Sequence, residues 1–491
     1  MTAFTFFTTT GCTRTPAAEP EVPLRIGARS SEEAPKVLRS FLFAEGLLAV
    51  DWQGRPTARL ATDCCAWEDD GRALRLHLRP DIRFHDDTFL TAPIAVEIIR
   101  QQLPKAETRG FEAVQSVQAV DERTILIHLN RPDGFLPGAL AGLSIVDDRK
   151  PNIGTGPFRL VPNKPRLEAV RNTSYYRGAP GIARVQVVPY PTSRASWAGL
   201  MRGDVDMALE INKESVEFLE GAVRFEIYSS IQPYYIPLVF NVRNPMLARV
   251  EVRRAIAEAI NRDEIVSQGM RGRGQWVADD PVWPLHWAYN KATRRHTFNP
   301  NAARERLEGA GLPVRPATPG RRDSRFQLKC MFYNGDPQFE RIGLLLQRQL
   351  AAVGIDLVLE GLPALEMQNR LLKGQFDSYL FQLTSGRDAS WTYRFWHSPN
   401  GALGPVMQNT GYSGADDVLD SLRQARTEDG IRIGIGDLRQ RFYDDVPAVF
   451  LAWTQTTRAV DARFDVGNPN DPDIFANLWR WQLASPQVAS R

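Results

Sequence analysis

Gly154-Thr155-Gly156-Pro157-Phe158 and, further along, Val252-Arg253-Arg254-Ala255-Ile256-Ala257-Glu258-Ala259-Ile260-Asn261-Arg262-Asp263 are the two stretches whose order decides the fold. In the second, Val252, Ile256, Ala259 and Ile260 recur at i, i+4, i+7 and i+8, which predicts a helix over Arg253–Ile260 with one buried face. Asn261 breaks that helix, and Asp263 is placed to cap the next helical turn. In the first stretch two glycines and a proline predict a tight turn. Pro157, Phe158 and Arg159 stand where a dinucleotide fingerprint continues x-x-Gly, and no lysine-bearing phosphate loop occurs, so nucleotide binding is disfavoured.

Working outward, Val22–Ala28 and Val185–Tyr190 read as short strands, and Leu74–Leu78 and Ile125–Leu129 show the alternation of half-buried strands. Ile94, Ile98 and Ile99 give Ala92–Gln102 a helical spacing. A longer amphipathic helix covers Phe339–Val353, stops at Gly354 and leads into a strand at Ile355–Glu360, the crossover expected of an α/β lobe. Residues 231–241 read as a strand-like connection between two halves. Low-complexity sequence is confined to the segment before Val22 and to the Pro/Gly-rich loop at 313–325, and no repeat of solenoid period occurs.

Taken in order, the two opening stretches resemble the extracellular solute-binding protein family five, the oligopeptide- and dipeptide-binding receptors of bacterial ABC importers. Similar wording recurs at Trp67–Gly71, at Leu76–Ala92, at Tyr175-Tyr176-Arg177-Gly178-Ala179-Pro180 and at Gly203-Asp204-Val205-Asp206. It continues at Asn299–Ala303 with Leu307 and Gly309-Ala310-Gly311, and at Gly374-Gln375-Phe376-Asp377. The resemblance spans residues 22 to 455 or beyond. Asp87 stands where the family has glycine, and Asp is among the few residues that tolerate a positive φ there. The resemblance implies an α/β, two-lobed, type II periplasmic-binding-protein-like fold with mixed sheets, an extra subdomain in the first lobe, and a hinge between lobes. On that template residues 1–21 are a signal remnant or tether, 22–45 the first part of lobe I, and 46–155 the extra subdomain. Residues 156–237 are then the second part of lobe I, 238–455 lobe II, and 456–491 a C-terminal return to lobe I.

Composition agrees. The 491 residues suffice for two or three domains, and 43 % hydrophobic content is ample for real cores. Sixty basic against 57 acidic side chains leave a net charge of only +3, scattered rather than striped, which gives nucleic acid or an anionic membrane no strong field to bind. No run approaches the ~18–20 apolar residues needed to cross a bilayer, so a transport role would be that of a receptor rather than a pore.

Catalytic constellations fail. The six histidines, His77, His85, His128, His286, His296 and His397, form no close metal-ligand spacing, and Gly411-Tyr412-Ser413-Gly414 is not a nucleophile elbow. The reading is therefore of a non-enzyme, without metal or cofactor. Cys64 and Cys65 are adjacent and Cys330 is distant. An oxidising compartment would allow either to bridge to Cys330, and the alternative is that all three are small core residues. Gly11-Cys12 resembles the end of a lipoprotein signal, in which Cys12 would carry lipid; the competing reading is a disordered tail with an incidental cysteine.

For ligand binding the informative segment is Phe376–Trp396, a strand ending in Ser385-Gly386-Arg387-Asp388 and followed by aromatics, the composition of a cleft wall with polar anchors. The resemblance implies that a strand near here pairs with a peptide and that an aspartate just after it holds the peptide's α-amino group; Asp388 is the candidate. Arg387 and Asp388 pairing with each other, or capping the next helix, is the competing reading. Of Trp391, Tyr393 and Trp396, one is assigned to the cleft and two to the core, with Trp391 chosen as ligand-binding. Tyr234 and Tyr235 are adjacent strand residues that point to opposite faces. Arg29 and Ser30 follow the first strand, where the resemblance implies a cavity-lining loop. The ligand-binding set is thus Arg29, Ser30, Tyr234, Tyr235, Ser385, Arg387, Asp388 and Trp391. The implied function is capture of a peptide or similar small polar solute by a monomer, periplasmic or lipid-anchored on the outer face of the cytoplasmic membrane. Delivery would be to an inner-membrane ABC permease with its ATPases. The alternatives are an extracytoplasmic hydrolase on the same scaffold, or a sensor or chaperone without a transporter.

Overall fold

The computed structural model describes residues 22–29, 38–106, 110–162, 167–211, 213–219, 224–290, 294–316, 323–398 and 408–484. Ser30, Cys12 and residues 1–21 lie outside them. Two long strands, Phe225–Phe240 and Ala448–Asp461, run antiparallel through the middle of the molecule and belong to both halves of one mixed sheet. Phe225–Ile231 pairs with Gln455–Asp461 in one half, and Tyr235–Val239 pairs with Ala448–Trp453 in the other. Between Ile231 and Tyr235 the register shifts, so the ladder is broken at the crossing, where a bend is least costly to the sheet.

On one side of the crossing the sheet continues through Met207–Ala208, Leu24–Arg29 and Arg184–Tyr190, the last two paired in parallel. Leu24, Ile26, Val185, Val187, Phe475 and Trp481 pack one face, and Leu200, Val205 and Ile211 pack the other. On the second side, Ser378–Leu380, Phe326–Tyr333 and Ile355–Leu362 extend the sheet. Helices Val250–Ala259 and Pro337–Ala351 cover one face there, burying Val252, Ile256, Ile342, Leu346 and Leu350. A separate four-stranded antiparallel sheet, including Ala73–His77 and Thr124–Leu129, packs under helix Ala92–Ala106 with its own core of Leu74, Leu76, Ile98, Ile125 and Ile127. The molecule is thus two-lobed and α/β with mixed sheets, as the resemblance implied.

Several local readings change. The turn after helix Val250–Ala259 is capped by Asn261, whose side chain accepts from the Glu264 amide at 3.1 Å, and not by Asp263. Gly154 and Gly156 carry no positive φ. They permit a close backbone approach instead, because a Cβ on Gly156 would meet the Leu42 carbonyl at 2.6 Å while its amide donates to Phe43 at 3.0 Å. Asp87 does adopt φ 66°. Cys64 and Cys65 are joined to each other, so no bridge to Cys330 forms; Cys330 is a free thiol in the core of the second lobe, as the alternative had it, and Cys64 is half-buried against the core of the four-stranded sheet. Among the described residues no helix is long and apolar enough to cross a membrane.

Candidate functional site

The broken ladder builds the site. Thr384 and Leu383 pair with Tyr234 and Tyr235, and the Ser385 amide donates to the Pro233 carbonyl at 3.0 Å, so the loop that follows is pinned to the crossing itself. Gly386 turns that loop at φ 65°, a conformation costly for residues with a Cβ, and its amide donates to Thr384 Oγ1 at 3.1 Å. Arg387 and Asp388 then project toward the opposite half of the molecule.

Segments that precede the first crossing strand touch segments that lie between the two crossings. Trp52, just after strand Leu48–Val50, is the centre of one such contact. Arg387 Nη1 donates to the Val50 carbonyl at 3.1 Å, and its guanidinium lies 3.8 Å from the Trp52 ring centroid. Trp283 Nε1 donates to the Trp52 carbonyl at 2.7 Å, the Trp287 amide donates to Gln53 at 2.8 Å, and Arg55 lies over Trp287 at 4.0 Å. Burial pulls the Arg387 guanidinium below its usual pKa, against the opposing field of Asp473 and Asp51.

Asp388 is half-buried beside this contact. Its carboxylate accepts from Ser390 Oγ at 2.7 Å, and it faces Gly138 of helix Leu136–Gly142, where an added Cβ would overlap the carboxylate oxygen. Among the described residues no ion pair reaches it. Burial raises its pKa, opposed only by hydrogen bonds at Ser390 and at its own backbone. Among the described residues it makes no ion pair with Arg387, but it does hold Ser390, the first residue of helix Ser390–Trp396, while the N-cap residue Ala389 makes no side-chain capping bond. A half-buried carboxylate between lobes, without a cation, is a group that gains by receiving one.

The other candidates are placed as follows. Tyr234 is 42 % exposed, whereas Tyr235 is buried, its hydroxyl accepting from Trp396 Nε1 at 3.0 Å and its ring against Phe450 and Trp453. Burial raises the Tyr235 pKa. Ser385 is buried, and Arg29 is exposed at the end of its strand. Trp391 is half-buried, stacked on Phe395 at 6.0 Å with Arg394 over it, while Tyr393 and Trp396 are core residues. The structure thus gathers Tyr234, Ser385, Arg387, Asp388 and Trp391 around the crossing. Trp52 and Gly138 were missed. Gly134, in the loop before helix Leu136–Gly142, and Gly138, inside it, are each closely approached, by the Ala425 carbonyl and the Asp388 carboxylate, and nothing local in the sequence marks either contact.

A cavity of about 180 Å³ lies elsewhere on the second lobe, lined by Asp279, Asp280, Arg294, Arg439 and Tyr443 among others. Its carboxylates are already engaged, Asp279 with Arg262 and His296, and Asp280 with Arg439, which makes it a structural network rather than a binding site. No group of three or more His, Cys, Asp and Glu side chains among the described residues is arranged to hold a metal ion.

Comparison with known proteins bears on most of the chain. Residues 55–402 match the model described as bacterial extracellular solute-binding proteins, family 5 Middle. The oligopeptide-binding protein AppA of Bacillus subtilis (strain 168) is 27 % identical over 454 residues, covering 85 % of this chain and 82 % of that one. The structure of the B. subtilis protein in complex with a nonapeptide superposes with a TM-score of 0.74 at 21 % identity, covering 95 % of this chain and all of the other. NikA from Brucella suis in complex with Fe(III)-EDTA superposes with a TM-score of 0.79 at 17 % identity, covering 94 % and 100 %.

Proposed function

The chain belongs to the bacterial extracellular solute-binding proteins, family 5, and from that premise we propose that it is the solute-capturing component of an ABC-type importer. It closes two lobes over a peptide or similar small polar solute and hands that solute, chemically intact, to a membrane permease with its ATPases. The observation that carries this reading is Asp388: a carboxylate drawn between the lobes, facing Gly138 and without a cationic partner among the described residues, is the complement of a solute ammonium.

In this reading lobe I comprises residues 22–45, 156–237 and the return after 456, the extra subdomain 46–155, and lobe II 238–455. Tyr234 and Trp391 wall the solute, Ser385 and Tyr235 fix the strand that bears it, and Arg29 approaches from lobe I; Ser30, the other lobe I candidate, lies outside the described residues. Arg387 is largely spent on Trp52 and Val50, so its part is in closure. Related proteins of similar fold hold a nonapeptide and an iron chelate; the Asp388 carboxylate favours the amine-bearing solute here. The receptor works as a monomer outside the cytoplasmic membrane, periplasmic or tethered through Cys12.

Mass spectrometry of the solute released on denaturing the natively isolated protein tests the reading. An intact amine-bearing solute at near-stoichiometric amount is expected. Release of cleavage products from a supplied peptide would overturn it in favour of a hydrolase.

A further inference from the structure

A second contact spans the lobes at a distance in sequence from the solute loop. Arg423, on helix Asp416–Gln424, lies between the two crossing strands in chain order, whereas Glu112 and Asp133 precede both. Arg423 Nε donates to Asp133 Oδ2 at 2.9 Å, and Nη2 reaches both Asp133 Oδ2 and Glu112 Oε2, the latter at 2.9 Å. The Asp133 side chain is fully buried and that of Arg423 nearly so. The other Asp133 oxygen accepts from the Phe135 amide at 3.0 Å, so the carboxylate is held by its own loop before the arginine arrives. The backbone follows the charges: the Gly134 amide donates to the Arg423 carbonyl at 2.6 Å, and a Cβ on Gly134 would meet the Ala425 carbonyl at 2.5 Å. Phe135 packs edge-on against Tyr393 at 5.8 Å, and the Arg423 guanidinium lies 4.9 Å from the same ring.

We propose that Arg423, received by Asp133 and Glu112, is a latch that holds the lobes together and so sets solute affinity from outside the solute site. The physical reason is an asymmetry between open and closed forms. With the lobes apart, all three charges are hydrated and indifferent to one another; with the lobes together, Asp133 is dry, and among the described residues the guanidinium is its counter-charge. Removing the arginine leaves two neighbouring carboxylates buried without a counter-charge, and removing the carboxylates leaves a buried cation, so either change penalises closure alone. A carbonyl–amide bond and a glycine that admits the opposing backbone give the latch one register. The inference rests on the two-lobed receptor reading for its link to affinity, but the latch itself is a statement about lobe position.

The test reads lobe position directly. Nitroxides are attached at Val120→Cys and Ile433→Cys, both exposed, in a Cys12→Ser background, and the distance distribution is measured by pulsed electron resonance with and without the solute recovered from the native protein. Arg423→Gln is expected to raise the long-distance fraction of the solute-free protein at least severalfold and to weaken solute binding at least tenfold. Asp133→Asn combined with Glu112→Gln is expected to do the same, and decides the matter if Arg423→Gln does not fold. Distributions identical to wild type in whichever of these variants folds would overturn the latch. The receptor reading fails separately, as a wild-type distribution that solute does not shift.

Discussion

Replacing Gly138 by alanine separates stability from closure. The residue sits inside helix Leu136–Gly142 without a positive φ, so the helix itself gains, by about 0.8–1.0 kcal/mol of propensity. The same methyl group would occupy the space of the Asp388 carboxylate across the lobe boundary. Asp is too short to swing clear while keeping its bond to Ser390. Closure must then break a hydrogen bond to a charged group, roughly 1.5–3 kcal/mol, or stop short of contact. Affinity for the solute should fall roughly tenfold to a hundredfold, since about 1.4 kcal/mol is a factor of ten. Calorimetric titration with the recovered solute gives the affinity, and thermal melting of the solute-free protein gives the stability. Unchanged affinity in Gly138→Ala, with melting unchanged or raised, would refute the argument that Asp388 and Gly138 meet on closure.

Asp388→Asn should keep the melting temperature of the solute-free protein while weakening an amine-bearing solute by roughly 2–5 kcal/mol, and an N-acetylated form should bind both proteins alike; a lower melting temperature with intact affinity would make Asp388 a structural residue. His85 and His286 are held neutral by burial, each with a pKa lowered to about 4. The unfolded chain takes up those protons near pH 6.5 and the folded one only near 4, so stability is full above that window and falls as pH drops through it. The loss is roughly 2 kcal/mol per histidine by pH 5. Urea midpoints at pH 7.5 and 5 measure it, and a His85→Gln variant with an undiminished slope would contradict it.

What was legible in the sequence was whatever depends on near neighbours. The spacing of Val252, Ile256 and Ala259 located a helix to within a few residues, because one buried face imposes its period on the chain. Aspartate at a glycine position marked the positive φ of Asp87. Gly154 and Gly156 were misread because a tight turn and a close approach both call for a residue without a Cβ, and only the position of Phe43, remote in sequence, distinguishes them. The Arg387–Asp388 pairing failed as an alternative for the same reason, since Arg387 has a better partner in Val50 and Trp52, 337 residues from its donor in the first case. Arg423 and Asp133, 290 residues apart, carry no local signal at all. Contacts between lobes are set by where two folded surfaces arrive, which no spacing within either surface encodes.

The central claim, that two lobes close over a solute at the broken ladder between Ile231 and Tyr235, is tested most directly by small-angle X-ray scattering of the protein stripped of solute and then resupplied with it. The account predicts a larger radius of gyration for the stripped protein and a return to the smaller one at saturation. Superimposable profiles, with binding shown independently, would contradict it.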